Sequence, residues 1–195
     1  NFISMWGFFG SSESPDGFWG PRGIAIDGDK VFIADTGNKR IAIFDTNGNY
    51  ITQFGKPGFD LGMLDEPVGL AVGLNGEIYV ADTWNQRIQV FMADAGSNAY
   101  YPVNTWDIDG WFGQSLDNKP FLATDNQGNV LVVDPEGFRV LKFKPDGAFL
   151  YGWGAYSPSS DGFGLPAAIA VDQHNGIWVT DAVNQTLLHF TISDE

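Results

Sequence analysis

The chain has no cysteine and only two histidines among its 195 residues. The first absence removes disulfides, thiolate metal sites and cysteine nucleophiles together. The second leaves too little imidazole for a multi-histidine metal centre or a histidine relay. Basic residues are scarce too: 10 Lys and Arg stand against 24 Asp and Glu, a formal charge of −14. That balance repels nucleic acid and anionic membrane surfaces. Long apolar runs are missing; those present are strand-sized, such as Val130 to Val133, so no direct membrane insertion is read within this segment. No window carries a 3.6-residue apolar period, and no signal peptide is visible. The first residue is Asn1 rather than Met, which reads as a processed, trimmed or excised piece of a longer chain. What the sequence has in quantity is glycine, 25 residues, and aromatics, 15% of the chain. With 44% hydrophobic residues this is no disordered acidic tail. The pairing of glycine and aromatics points to short apolar strands joined by many tight turns.

An internal repeat organises these strands. Ile33-Ala34-Asp35-Thr36-Gly37-Asn38, Val80-Ala81-Asp82-Thr83-Trp84-Asn85, Val132-Val133-Asp134-Pro135-Glu136-Gly137 and Val179-Thr180-Asp181-Ala182-Val183-Asn184 read alike, and their aspartates are 47, 52 and 47 residues apart. A phenylalanine follows nine residues after each aspartate, at Phe44, Phe91, Phe143 and Phe190. A proline precedes each unit, at Pro21, Pro67, Pro120 and Pro166, and an aromatic closes three of them, at Phe54, Trp106 and Trp153. Each unit resolves into four short strands joined by turns rich in Gly, Asn and Asp, which supply the positive φ of tight hairpins. The expected fold is an all-β propeller of four four-stranded blades, spanning about 21–55, 67–108, 120–154 and 166–192. The longer interval assigns an insertion of five residues to Met92–Asn104, between the third and fourth strands of the second blade. Residues 2–7 have the phase of a fourth strand, since Trp6 lies 48 residues before Phe54, and the last blade lacks its own. Two arrangements satisfy this: segment 2–7 completes the last blade and closes a four-blade ring, or the chain is an arc of a larger ring.

The Ala34-Asp35 to Phe44 and Ala81-Asp82 to Phe91 segments resemble the NHL-repeat propeller family, whose blades carry an A-D-x-x-N-x-R-[IV]-x-[VK]-F core. The third unit departs from it at Pro135 and Gly137, and the fourth has Thr186 where the arginine belongs. The resemblance covers nearly the whole chain and implies a propeller that usually has more than four blades. Residues 113–120 and 134–139 are also similar to NHL tails of large multi-span bacterial membrane proteins. That likeness implies an extracytoplasmic domain, at a cell surface or in a periplasm-like space, of a membrane-associated parent.

Asp35 with Arg40, Asp82 with Arg87 and Asp134 with Arg139 keep a separation of five across a hairpin, which reads as structural carboxylate–guanidinium pairing. The acidic turns Asp27-Gly28-Asp29, Asp45 to Asn49 and Asp125 to Asn129 offer oxygen ligands, but none extends into a twelve-residue calcium loop, so no metal is expected. No catalytic residue and no cofactor is assigned: Ser–His–acid order, P-loop and dinucleotide fingerprint are all missing, His174 lies in a turn and His189 in a third strand. The loops between blades are oddly aromatic, with Phe8, Phe9, Phe18, Trp19, Phe59, Trp111, Phe112, Tyr156 and Phe163, and Trp84 sits in a turn on the same face. Trp84, Trp19, Phe59, Trp111 and Tyr156 are the candidate contact residues, Trp84 foremost, because its counterpart in the first unit is Gly37. The expected function is a non-enzymatic binding scaffold that meets a protein partner or other ligand through this face, with no nucleic acid as partner. An accessory polysaccharide-binding domain of a membrane-bound glycan-processing enzyme is the alternative, and a metal-dependent propeller hydrolase or lyase a third.

Overall fold

The computed structural model describes residues 1–109, 111, 119–159 and 161–191. Two short strands near the start, β1 (Phe8–Phe9) and β2 (Gly17–Phe18), pair in parallel. Four antiparallel sheets follow. The first contains β3 (Pro21–Asp27), β4 (Lys30–Asp35), β5 (Arg40–Asp45) and β6 (Tyr50–Phe54). The second contains β7 (Pro67–Val72), β8 (Ile78–Asp82), β9 (Arg87–Ala93) and β10 (Tyr100–Asp107). The third contains β11 (Leu122–Thr124), β12 (Val130–Asp134), β13 (Arg139–Phe143) and β14 (Phe149–Trp153). The fourth contains β15 (Pro166–Val171), β16 (Ile177–Asp181) and β17 (Thr186–Phe190). Every sheet is a simple meander, and the first strands β3, β7, β11 and β15 lie side by side in order. These are four propeller blades. The only helical turns among the described residues are single 3₁₀ turns at Thr36–Asn38 and Thr83–Asn85.

Burial explains the strand sequences. A blade between two neighbours is covered on both faces, so its second strand must be apolar throughout rather than alternating. Accordingly β8 and β12 are buried at every position, while the outer strand β10 alternates. The run Val130 to Val133 is such a doubly covered strand. Three apolar clusters lie between successive blades. Phe32, Ile41, Ile43 and Phe54 meet Leu70, Ile78 and Phe91 in the first; Tyr79 and Ile88 meet Val132 and Phe143 in the second; Leu131 and Val140 meet Ile177 and Val179 in the third. Each fully buried side chain of this size contributes roughly 1.5–3 kcal/mol. Near the hub the blades approach so closely that a Cβ on Gly23 would lie 2.1 Å from the Val68 carbonyl oxygen. The inserted residues of the second blade lengthen its outer hairpin, with Tyr100 opposite Ala93 and a register shift between Pro102 and Asn104.

Of the two arrangements open for residues 2–7, the structure does not show the pairing with the last blade. These residues form no strand, and the fourth sheet has three strands, so segment 2–7 does not complete the last blade. It lies instead at the first blade, where the Trp6 ring sits 6.4 Å from Phe44. The inner strands contact one another in the order β3, β7, β11, β15, which places the first and last blades at opposite ends of that series. No helix among the described residues is long and apolar enough to cross a membrane. The likeness to membrane-protein tails drew partly on residues 113–118, which lie outside the described residues.

Candidate functional site: the face of the interblade loops

The repeated aspartates build this face. Asp35 is fully buried and accepts at 2.8 Å from the Trp19 backbone N–H, at 2.8 Å from Asn38 Nδ2 and at 2.8 Å from Arg40 Nε. Asn38 also donates to the Gly10 carbonyl at 3.0 Å, and Arg40 Nη2 to the Gly17 carbonyl at 2.6 Å. The second blade repeats the arrangement. Asp82 accepts from the Asp65 N–H at 2.7 Å, Asn85 at 2.9 Å and Arg87 at 2.8 Å, while Asn85 reaches the Gly58 carbonyl at 2.9 Å and Arg87 the Met63 carbonyl at 3.1 Å. In the third, Arg139 pairs with Asp134 at 2.7 Å and holds the Asp109 carbonyl at 2.8 Å. The Asp-x-x-Asn-x-Arg pattern is therefore a clamp on the loop that enters each of the first two blades, kept in part in the other two, and it satisfies backbone groups that burial would otherwise leave unpaired. The recurring asparagines were visible in the repeat; their loop partners, some 27 residues away, were not.

The fourth clamp has no arginine. Asp181 accepts from the Gly164 N–H at 2.6 Å, the Leu165 N–H at 2.9 Å and the Asn184 N–H at 3.0 Å. Burial pushes its carboxyl up, but the N–H groups of Asn184, Leu165 and Gly164 outweigh that and hold it below the ordinary value. The hairpin-turn carboxylates are occupied by their own turns. Asp45 accepts from the Asn47 and Asn49 N–H groups at 2.9 and 2.8 Å, and Asp125 from Gln127 and Asn129 at 2.9 and 2.8 Å. Asp172 accepts from the Trp178 indole and from the Gly176 and His174 N–H groups, which bring its pKa down to about 2. Among the described residues no three of His, Asp and Glu gather into a metal-ligand set. His189 stacks on Trp178 at 3.9 Å.

Of the candidate contact residues, Trp84 is 47% exposed, Trp19 57%, Tyr156 63% and Phe59 77%. Trp111 is a correction: at 3% exposure it fills the cluster between the second and third blades, as Leu64 and Phe163 fill the clusters on either side. An interblade loop needs one apolar plug, and the sequence does not distinguish plug from contact. Phe112 lies outside the described residues. Two tryptophans hold related places from opposite directions. In the first blade the loop supplies Trp19, which lies over the turn so closely that a Cβ on Gly37 would be 2.7 Å from its ring. In the second blade the turn itself supplies Trp84, and the loop residue is Asp65. Lys39 links the two places. Its ammonium is 6.0 Å from the Trp84 ring centre and 2.6 Å from the Asp65 carboxylate. Lys39 is left-handed, φ 54°, as are its counterparts Gln86, Phe138 and Gln185 at the same point of every blade. Composition alone showed Lys39 only as one of few cations.

The NHL-repeat family model matches residues 18–44 and 64–91, the stretches that carry the first two clamps. The chain is an NHL-repeat β-propeller. Over 152 residues, 76% of this chain, it is 32% identical to Protein brain tumor of Drosophila melanogaster. Over 66 residues, 32% of this chain, it is 42% identical to RING finger protein nhl-1 of Caenorhabditis elegans. It spans 13% and 7% of those two proteins. Among solved structures, a nidogen/laminin complex chain aligns with 87% of this NHL propeller at TM-score 0.64 and 20% identity, of which it covers 60%. A streptogramin B lyase aligns with 89% at TM-score 0.61 and 19% identity, of which it covers 55%. At these identities the structural likeness concerns the fold.

Proposed function

We propose that this NHL propeller is a non-enzymatic binding scaffold that meets a protein partner through the face of its interblade loops, with Trp84 at the centre of contact. The observation that carries this reading is the setting of Trp84. A half-exposed indole on a short 3₁₀ turn, with a tethered ammonium 6.0 Å from its ring, is a rigid aromatic anchor. Trp19 continues the apolar surface, and the two buried clamps hold the underlying loops still, so little ordering entropy remains to be lost on binding. The relatives in NHL proteins support a binding role, while the lyase likeness rests on fold. The exposed tryptophans also suit sugar stacking, which keeps the polysaccharide-binding alternative as the competing outcome. Screening the protein against a displayed-peptide library and a glycan array in parallel tests both. Peptide binding weakened by on the order of a hundredfold in Trp84→Ala, with the fold intact, is expected for an anchor residue. Glycan binding with no peptide bound would overturn it.

A further inference from the structure

We infer that the segment which meets this NHL propeller at Trp84 is basic and lays an arginine side chain on the indole, an inference that rests on the reading of the loop face as a surface for a protein partner. The face has already committed its own cations. Arg40, Arg87 and Arg139 are engaged by the clamp carboxylates at 2.8, 2.8 and 2.7 Å. Lys39 is held on Asp65 at 2.6 Å, and Lys119 is 4% exposed with its ammonium 3.7 Å from Glu66. Among the described residues of the interblade loops and turns this leaves Lys56 exposed, with Arg22 nearby at the start of β3. The exposed carboxylates of the same loops are more numerous: Glu13, Asp16, Asp60, Asp109 and Asp161. An acidic segment meets repulsion on this face and a basic one attraction.

Trp84 itself already attracts a cation. The Lys39 ammonium lies 6.0 Å from its ring centre, and Asp65, whose carbonyl accepts from the Trp84 N–H at 3.1 Å, supplies the matching carboxylate. Indole and carboxylate together form a cation site that the protein fills with its own lysine. One ammonium takes one side of a ring, and Trp84 stays 47% exposed. A partner's carboxylate would have to draw Lys39 away from Asp65, whereas a partner's cation needs only the open indole surface. Carboxylates also stand beside that surface. The Glu66 carbonyl accepts from the Thr83 N–H at 3.4 Å, which places Glu66 under the turn that carries Trp84. Glu136 holds in the third blade the position of Trp84 in the second, two residues after the clamp aspartate, and both glutamates lie within electrostatic reach of Lys119. Arginine fits this setting better than lysine, because a planar guanidinium stacks on an aromatic ring while its N–H groups still reach a carboxylate.

Peptides selected from a displayed random library on the immobilised propeller, then synthesised singly, test this. They should be net basic and share an arginine. Replacing that arginine by citrulline, which keeps the planar shape and removes the charge, should weaken binding about tenfold. Raising salt from about 0.05 to about 0.5 M should weaken it at least about fivefold. Trp84→Leu, which keeps an apolar surface without a π face, should lose as much affinity as Trp84→Ala. Asp60→Lys should weaken binding severalfold while near-ultraviolet circular dichroism stays unchanged. Peptides that need Trp84 but carry no arginine, or that bind equally well with citrulline, overturn this inference and leave the binding scaffold standing. A Trp84→Leu variant that binds as the wild type does the same, since the anchor would then be apolar contact alone. Peptide binding indifferent to Trp84→Ala, or glycan binding with no peptide bound, overturns both readings.

Discussion

The first and last blades solve one problem in two ways. Both bury an aspartate under the loop that enters the blade, and both bind that loop through backbone N–H groups and an asparagine. Asp35 then meets Arg40, which is 1% exposed, whereas Asp181 faces Thr186 across the hairpin and has no cation partner among the described residues. Asp181 compensates by taking two loop N–H groups, from Gly164 and Leu165, where Asp35 takes one, from Trp19. The arginine is thus dispensable for burying the carboxylate. What it adds is reach. Arg40 Nη2 spans to the carbonyls of Ser14, Pro15 and Gly17, and fixes the long loop that presents Trp19. The exposure of the arginine rises along the chain, with side chains 1%, 12% and 37% accessible at Arg40, Arg87 and Arg139. The arginine's grip on the loop therefore declines from the first blade to the third.

The largest effect should come from Arg40→Ala. Removing one partner of a fully buried pair leaves the Asp35 charge without its cation and several loop carbonyls unmatched, at a cost of about 3–5 kcal/mol. That is a large part of the stability of an ordinary domain. Urea unfolding followed by tryptophan fluorescence measures it, and a loss of under about 1 kcal/mol would mean that loop hydrogen bonds, and not the arginine, hold the first blade.

Asp181→Asn should act less, because the amide oxygen keeps some of the N–H bonds, costing about 1–2 kcal/mol at neutral pH. Its pH dependence separates the two clamps. Asp181 is held below its unfolded value, so its stabilisation is complete above the unfolded carboxylate pKa and is lost as pH falls through the folded one. The wild-type advantage over Asp181→Asn should shrink on acidification from pH 7 to 3. An advantage that stays constant across that range would contradict the N–H-bonded carboxylate.

The propeller was legible in the sequence because its determinants repeat. The aspartates, Phe44 and its counterparts, and the prolines hold phase since each blade meets the same neighbours in the same way. The choice between a closed ring and an arc was not legible. The phase of Trp6 says which strand segment 2–7 resembles, but not which sheet stands beside it. Trp111 shows the same limit: a plug and a contact residue share an apolar aromatic identity and a loop address, and only burial separates them. Lys39 is the converse, a residue of unremarkable type given meaning by a left-handed backbone that swings it toward the next blade. The two-strand clamps were half legible, since the five-residue spacing placed Arg40 beside Asp35 but could not show that the guanidinium ends on a loop.

The smallest effect belongs to the third blade. Arg139 is the most accessible of the three arginines, its turn has Gly137 where the asparagine stands elsewhere, and among the described residues it holds the single loop carbonyl of Asp109. Solvent screens the pair, so Arg139→Ala should cost no more than about 1 kcal/mol. The informative variant is the reciprocal one. Gly137→Asn restores the asparagine position, but a Cβ there would lie 2.3 Å from Asp134 Oδ2 and 2.7 Å from Arg139 Nε, so the side chain and the ion pair compete for one space. Combined with Arg139→Ala the asparagine gains that space, and the double variant should be more stable than Gly137→Asn alone. Urea midpoints of the three variants decide it. Additive losses would mean that the two positions do not share the Asp134 carboxylate and that the third blade is not a weakened copy of the first.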